Sequence, residues 1–138
     1  MGKVDIPLLV AWEKAERPYP WASKHFEDTL TSQVQQTLIW ESPAQLLGFA
    51  VLQIIQAEAY LLNIMTSPRN RRTGLGFTLM GKVVQVCRAS SAENIFLDVD
   101  PHNTAAFGLY KKFGFEAMGR RMKAYPNGED AVLMKRKI

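Results

Sequence analysis

The pattern of apolar and polar positions changes its period several times along the chain, and each change predicts a new element. Near the N-terminus, apolar residues recur every three to four positions behind Asp5 and again behind Ser23, which predicts two short capped helices. Compact apolar runs bounded by turn residues follow, and these are typical of strands. The three predicted strands cover residues 37–41, 46–56 and 59–65.

The second half of the chain continues the alternation. An apolar stripe at helical spacing predicts a long helix over residues 75–90. A strand at 94–99 comes next, and Asn103 is the expected cap of a helix that runs to Lys112. The tail completes the pattern with a strand at 115–117 and a hairpin of residues 122–125 and 131–135 around Asn127-Gly128.

The order of these elements predicts the architecture. The strand–helix–strand unit in the middle requires a parallel crossover, whereas the short turns elsewhere join antiparallel neighbours. The sequence therefore predicts one α/β (α+β) domain over residues 1–138, built on a mixed sheet with helices packed on it.

Composition narrows the class of protein. Of the 138 residues, 47% are hydrophobic and 22% are charged, which is typical of a globular chain. The lone Cys87 excludes an internal disulfide, and two histidines far apart argue against a metal enzyme. No leader and no apolar run of membrane length is present, so we expect a cytoplasmic protein without a membrane partner. The net charge of +4 permits nucleic-acid binding without requiring it.

A basic loop, Arg71-Arg72-Thr73-Gly74-Leu75-Gly76, joins a predicted strand to the long predicted helix. Two glycines at i and i+2 allow a tight turn with exposed N–H groups, which together with a helix N-terminus suit a pyrophosphate. The loop lacks the Lys-Ser/Thr of a Walker loop and the third glycine of a dinucleotide fold. A tight turn with solvated arginines explains the same residues equally well.

Two further polar residues are candidates for chemistry. Asp98 interrupts an apolar strand and shares its face with Phe96, so it is placed to take a proton if that face lines a cleft. Tyr110 shares a helix face with Ala106 and Phe113, and its phenol is a proton donor. Each has an ordinary interpretation: a strand-end aspartate that caps a loop, and a packed tyrosine with its hydroxyl at the rim.

Taken together, in this order and spacing, these residues resemble the GCN5-related N-acetyltransferase (GNAT) superfamily. The family's loop reads Arg/Gln-x-x-Gly-x-Gly/Ala and is matched by Arg71, Gly74 and Gly76. Its later helix reads Asn-x-x-Ala-x-x-x-Tyr-x-x-x-Gly-Phe and is matched by Asn103, Ala106, Tyr110, Gly114 and Phe115. The resemblance implies the GNAT acyl-CoA N-acyltransferase fold, a mixed central sheet with helices on both faces.

Within the superfamily the chain is most similar to the bacterial ribosomal-protein-alanine N-acetyltransferases (RimI type). Three segments carry this likeness, namely Pro20-Trp21, Glu58-Ala59 with Asn63-Ile64, and the closing hairpin from Arg120 to Met134. The resemblance implies acetyl transfer from acetyl-CoA to the N-terminal alanine of a small-subunit ribosomal protein. The expected partners are acetyl-CoA and a basic N-terminal segment, with no metal and no nucleic acid, and the expected state is a monomer.

The resemblance also implies a role for each candidate residue. Asp98 falls at the position of the base, and Tyr110 falls at that of the acid that protonates the departing thiolate. The pantetheine arm pairs with strand backbone, the glycine loop holds the pyrophosphate, and Asn103 either contacts the thiol end or is only the helix cap. The implied cofactor-binding residues are Ile64, Met65, Thr66, Arg71, Arg72, Thr73, Gly74, Leu75, Gly76, Phe77 and Asn103.

Two departures from the family pattern bear on mechanism. The base position holds Asp98 where the RimI type keeps glutamate, which sets the carboxylate back by roughly 1.5 Å. We therefore expect it to act directly, through a water, or with help from another acid such as Glu41 or Glu58. Asp100 stands where that group usually has arginine, and its charge favours a basic peptide.

Two other functions compete with this interpretation. The same cofactor could serve a small amine, such as a polyamine or an aminoglycoside. A basic RNA-binding module without catalysis would use the arginines alone, with salt-sensitive RNA binding. Relatives also carry a strand before the segment that matches Asp5, and residues 1–4 are too short to supply it fully. We expect this first strand to be missing or vestigial, which leaves the strand near Thr37 as an exposed edge.

Overall fold

The computed structural model describes residues 5–68 and 74–138. Within these residues the chain forms one mixed sheet and four α-helices. The helices are α1 (Ile6–Glu16), α2 (Ser23–Thr31), α3 (Leu75–Ala89) and α4 (Thr104–Lys112). The strands are β1 (Gln35–Glu41), β2 (Leu46–Ile55), β3 (Glu58–Thr66), β4 (Asn94–Val99), β5 (Glu116–Arg121) and β6 (Ala131–Lys137).

The sheet has the strand order β1-β2-β3-β4-β6-β5. Only β3 and β4 are parallel, and α3 provides the crossover between them; the other neighbours are antiparallel. This confirms the predicted mixed sheet. Within the described residues β1 forms one edge, as expected for the strand near Thr37. The expectation about a first strand concerns residues 1–4, which lie outside the described residues.

Helices cover both faces of the sheet and enclose two apolar cores. On one face, α3 and α4 pack on inward-facing residues of β2, β3, β4 and β6, such as Leu52 and Ile95, both fully buried. On the other face, α1 and α2 pack on Phe49 and Val51 of β2. Adjacent residues of β2 pack in opposite cores, so this strand is buried on both faces. This burial explains its continuous apolar run.

Two local predictions were wrong. Residues 122–125 do not form a hairpin strand, because β5 already ends at Arg121 and Lys123 has φ 51°, a left-handed conformation that interrupts a strand. Ser23 begins α2 instead of capping it: Ala22 is the cap residue, and its N–H donates to His25 Nδ1 at 3.0 Å. The first error changes the number of strands, because the single strand β5 replaces the predicted strands at 115–117 and 122–125, whereas the second only shifts a boundary.

β3 contains one residue more than its neighbour β2 can pair. Val51 lies opposite Asn63 and Leu52 lies opposite Leu61, so Leu62 is a bulge. The bulge reverses which face each side chain uses. Leu61 packs in the core beneath α3 and α4, whereas Met65, four residues further on, packs beneath α1 and α2. In an unbroken strand two residues four positions apart would share a face.

The parallel pairing with β4 stops at the same point. The paired positions run from Glu58 and Asn94 to Leu61 and Leu97, yet β3 continues for another five residues and β4 for another two. The two strands therefore separate beyond the bulge. In the part of the chain that the structure describes, no helix is long and apolar enough to cross a membrane.

Candidate active site

The separation of β3 from β4 creates an open backbone edge. Ile64, Met65 and Thr66 pair with β2 on one side but lie past the last pair with β4 on the other. An unpaired strand edge offers N–H and C=O groups to an extended ligand. The sequence prediction for these three residues therefore falls on the one stretch of β3 whose β4 side is open.

A buried polar network stands behind this edge. The Glu13 side chain is 1% exposed, and its Oε1 accepts a hydrogen bond from the Trp21 N–H at 2.8 Å. Its Oε2 accepts another from Asn63 Nδ2 at 3.1 Å and lies 3.5 Å from Arg17 Nε. The network ties α1, the α1–α2 connection and the residue after the bulge together, because a buried carboxylate requires such partners.

Arg17 completes the network at the open edge itself. Its Nη2 donates to the Ile64 carbonyl oxygen at 2.6 Å and to Asn63 Oδ1 at 3.1 Å. The Ile64 carbonyl thus points away from β2 and into the gap. Sequence reasoning missed both Glu13 and Arg17. The only signal was a glutamate on the otherwise apolar inner face of α1, one turn after Leu9.

Asp98 lies near the end of β4, on the face that it shares with Phe96, as predicted. Its Oδ2 accepts a hydrogen bond from Arg121 Nη1 at 2.7 Å, and its side chain remains 30% exposed. It lines a cleft of about 410 Å³ whose apolar part comes from Tyr60, Leu61, Leu62, Leu97 and Leu133 and whose rim carries Arg120 and Arg121. The bulged residue of β3 thus contributes directly to the wall opposite Asp98.

Tyr110 is buried at the end of α4 and stacks edge-on against Phe115, with ring centroids 5.9 Å apart. Burial raises the pKa of its phenol to about 12, although the Arg17 guanidinium partly offsets the effect of burial. The hydroxyl is therefore protonated throughout the neutral range. Arg17 follows α1 on one face of the sheet and Tyr110 belongs to α4 on the other, so the charge of Arg17 acts on a residue of the opposite face.

A second tyrosine, Tyr125, interacts with charged groups of the same region. Burial raises the pKa of Tyr125, the carboxylates of Asp100 and Asp98 raise it further, and Arg121 and Arg17 oppose them. Beside it, His102 Nδ1 lies 3.0 Å from Asp100 Oδ1 and 3.5 Å from Glu129 Oε2. These ligand-type atoms lie within 4.8 Å of one another. Of the acidic residues around Tyr125 and His102, the charges of Asp98 and Asp100 were singled out from the sequence, whereas that of Glu129 was not.

The additional acids considered in the sequence are badly placed. Glu58 lies opposite Asn94, four residues before Asp98 along β4, which corresponds to about 13 Å. Glu41 is on the edge strand β1, with β2 and β3 between it and β4. The expectation that either of them shares the role of Asp98 is therefore wrong.

The start of α3 agrees with the predicted glycine loop where the structure describes it. Gly74 is the cap residue at φ 82°, a left-handed conformation that favours glycine, and Thr78 Oγ1 donates to its carbonyl at 3.2 Å. A Cβ on Gly76 would lie 3.4 Å from Leu109 of α4. Leu75 and Phe77 are in the first helical turn, and Phe77 packs on Phe113 with ring centroids 4.5 Å apart. Arg71, Arg72 and Thr73 lie outside the described residues.

Two other predictions concern single residues. Asn103 is the cap of α4, since its Oδ1 accepts from the Ala106 N–H at 3.2 Å. Cys87 is fully buried in the apolar face of α3, and burial raises the pKa of its thiol to about 11. A buried thiol that resists ionisation is a poor nucleophile. Cys87 is thus a core residue and is not placed to act as a nucleophile.

A sheet opened by a bulge, an unpaired backbone edge and a glycine-capped helix beneath it define an acyl-CoA-dependent N-acyltransferase fold. The family model of the acetyltransferase (GNAT) family matches residues 6–115, and the chain belongs to that family. GNAT acetyltransferases use acetyl-CoA as co-substrate. The glycine-loop and α4 motifs carried this assignment in the sequence, so the recognised superfamily and fold are confirmed.

Individual relatives are similar over nearly the whole chain. The bS18-alanine N-acetyltransferase of Haemophilus influenzae is 35% identical over 134 residues, with 94% of this chain and 90% of that protein covered. The crystal structure of the ribosomal-protein-S18-alanine N-acetyltransferase from Escherichia coli superposes with a TM-score of 0.89 at 28% identity, covering 100% and 90% of the two chains. A mutant of spermidine N-acetyltransferase from Vibrio cholerae shares the fold, with a TM-score of 0.85 at 17% identity, covering 99% and 92%.

Proposed function

We propose that this acetyltransferase transfers the acetyl group of acetyl-CoA to the N-terminal α-amine of a protein that begins with alanine, in the manner of the bS18-specific relatives. A small-subunit ribosomal protein with a basic N-terminal segment is the expected acceptor, and the cytoplasm is the expected place of reaction. The observation that carries the proposal is the open β3 edge at Ile64, Met65 and Thr66, flanked by Asp98 and Tyr110.

The cofactor's binding is supported by the backbone geometry. An extended pantetheine arm has amide groups that can replace the missing β4 partner of β3, which is recognition by strand addition. The N–H groups of the first turn of α3, after Gly74, suit the pyrophosphate. Asn103 is already engaged as the α4 cap, so we expect it to affect the cofactor through the position of α4.

Proton removal from the acceptor is the task assigned to Asp98. An N-terminal amine has a pKa of about 8, so most of it is ammonium at neutral pH and must lose a proton before it attacks. The Asp98 carboxylate is partly exposed to solvent and accepts a hydrogen bond from Arg121. An incoming ammonium competes with that guanidinium for the carboxylate. The free amine then forms the new C–N bond as the thioester C–S bond breaks.

Proton delivery to the leaving group is assigned to Tyr110. The departing thiolate takes the phenolic proton, which burial keeps on the oxygen at neutral pH. The acceptor class is supported by charge: Asp98 lines the cleft, and Asp100 lies near enough to Tyr125 to raise the pKa of its phenol, so a basic peptide would gain favourable interactions with these carboxylates.

Two measurements test the proposal together. Calorimetry with coenzyme A should show a single site, and thiol release should be faster with a basic peptide beginning with alanine than with spermidine or an N-acetylated copy of the peptide. Equal inactivity on every such peptide, with turnover of spermidine, would refute the protein acceptor. Salt-sensitive RNA binding without coenzyme A binding would refute the enzyme.

Variants assign the two roles. Tyr110→Phe and Asp98→Asn should each lower kcat by about 100-fold, the usual contribution of a positioned acid or base. Asp28→Asn is the matched control, since Asp28 is an exposed carboxylate on α2 whose ion-pair partner among the described residues is Lys24 at 3.2 Å. The control should keep kcat. Full activity of either site variant at every pH would remove that residue from the mechanism.

A further inference from the structure

Arg17 is a fixed cation at the open β3 edge. Its guanidinium reaches the gap from the C-terminal end of α1, with Nη2 held by the Ile64 carbonyl at 2.6 Å and by Asn63 Oδ1 at 3.1 Å. Glu13 supports it from behind, with Oε2 at 3.5 Å from Nε. Fixing an arginine side chain costs conformational entropy. The two contacts to one short stretch of β3 offset this cost and hold the charge at a defined place.

The guanidinium is not fully satisfied by these contacts. Its Nε is buried and has no hydrogen-bond acceptor among the described residues. The Glu13 carboxylate beside it already accepts from the Trp21 N–H and from Asn63 Nδ2. At the open edge, by contrast, Nη2 is held by two neutral oxygens, the Ile64 carbonyl and the Asn63 side-chain amide, so a negative group that arrives there can form a charge-assisted hydrogen bond with it.

The pKa values of two tyrosines, Tyr110 and Tyr125, show which groups this charge affects. Arg17 stabilises the ionised forms of both Tyr110 and Tyr125, so its field reaches both phenols. The other charged groups around Tyr125 are Asp98, Asp100 and Arg121, and two of these three are negative. Arg17 thus contacts the open edge directly, through the Ile64 carbonyl, and lies close enough to Tyr110 to lower the pKa of its phenol.

We propose that Arg17 is a catalytic residue that stabilises the negative charge on the coenzyme A sulfur as the C–S bond breaks. The amine nitrogen forms its bond to the acyl carbon, the sulfur leaves with the electron pair, and Tyr110 gives it a proton. This inference rests on the proposed function, because it needs the thioester to lie along the β3 edge. The guanidinium must then release the Ile64 carbonyl, which the pantetheine arm takes over.

The pKa of the thiol of bound coenzyme A measures this interaction directly. Thiolate formation is followed by its ultraviolet absorbance during a pH titration of the protein saturated with coenzyme A. An opposite charge within about 4–6 Å lowers a pKa by about 1 to 3. In Arg17→Gln the thiol pKa should therefore rise by about 1 or more, and kcat should fall about tenfold or more, whereas the dissociation constant of coenzyme A should change less than threefold.

Arg17→Lys separates charge from structure. Lysine keeps the positive charge but loses the planar fork, so it should restore most of the low thiol pKa even if its melting temperature matches that of Arg17→Gln. Added methylguanidinium should also partly restore kcat in Arg17→Ala. If wild-type protein fails to bind coenzyme A, the proposed function itself is wrong. If coenzyme A binds and its thiol pKa is the same in wild type and Arg17→Gln, only the role of Arg17 is refuted.

Discussion

Replacing Glu13 with alanine tests whether the buried network supports both the fold and the site. The wild-type carboxylate is 1% exposed and satisfies the Trp21 N–H and the Asn63 amide while lying 3.5 Å from the Arg17 guanidinium. Glu13→Ala removes all three interactions at once. It also leaves two partly buried donors and one partly buried cation without their acceptor.

The magnitude follows from those unpaired groups. Removing one partner of a buried ion pair costs about 3–5 kcal/mol, and each buried donor left without an acceptor costs about 1–3 kcal/mol. The Arg17 side chain is 32% exposed, so solvent recovers part of the loss and the lower end applies. We expect a loss of about 3 kcal/mol in the free energy of unfolding and about 10 °C in melting temperature.

Urea unfolding followed by tryptophan fluorescence measures the change. Asp28→Asn is the matched control, because the Asp28–Lys24 pair is also an i,i+4 ion pair but its side chains are 58% and 82% exposed. It should cost less than about 0.5 kcal/mol. A cost for Glu13→Ala that is no greater than for the control would show that the network has no structural weight.

Two further predictions concern the core and the cofactor edge. Burial raises the pKa of Cys87 from 9.0 to about 11 and that of Tyr110 from 10.0 to about 12, so both groups stabilise the fold fully below about pH 9 and lose that contribution as the pH rises towards 12. The free energy of unfolding should fall over this range, less steeply in Cys87→Ala, and an unchanged slope would contradict the assignment. Gly48→Ala should cost about 1–3 kcal/mol and weaken coenzyme A binding, because its Cβ would lie 2.9 Å from the Met65 carbonyl oxygen. Gly119→Ala, which meets nothing within 4 Å, is the control; equal effects in calorimetry and urea unfolding would rule out the steric explanation.

Much of the fold could be predicted because its signals are local. The apolar stripe of α3 and the cap of α4 at Asn103 depend on residues a few positions apart, and both agree with the structure. A glycine was expected at the tight turn into the long helix. Gly74 lies there with φ 82°, a conformation that few other residues adopt. Asp98 was found because a carboxylate interrupts an apolar strand, and Tyr110 because its spacing from Asn103 matches a known motif, although their roles remain predictions.

The remaining part of the site depends on contacts between distant segments. Glu13 and Asn63 are 50 residues apart, and Arg17 and Ile64 are 47 apart. Nothing in the local sequence of α1 indicates that its glutamate meets the residue after a bulge. The bulge was equally hidden, because an apolar run such as Tyr60-Leu61-Leu62 reads as regular strand until its partner's register is known.

The extra residue in β3 has a consequence for how such a cleft can arise or disappear. Deleting Leu62 alone would restore regular alternation along the strand and leave Met65 in its present core opposite Phe49, because the residues on either side of the bulge already pair with consecutive residues of β2. β3 would then no longer need to separate from β4, and the pairing of the two strands could extend as far as Val99. The capacity to hold a second substrate in the sheet thus depends on one residue that β3 has in excess of β2. Inserting or deleting a single codon can create or remove it.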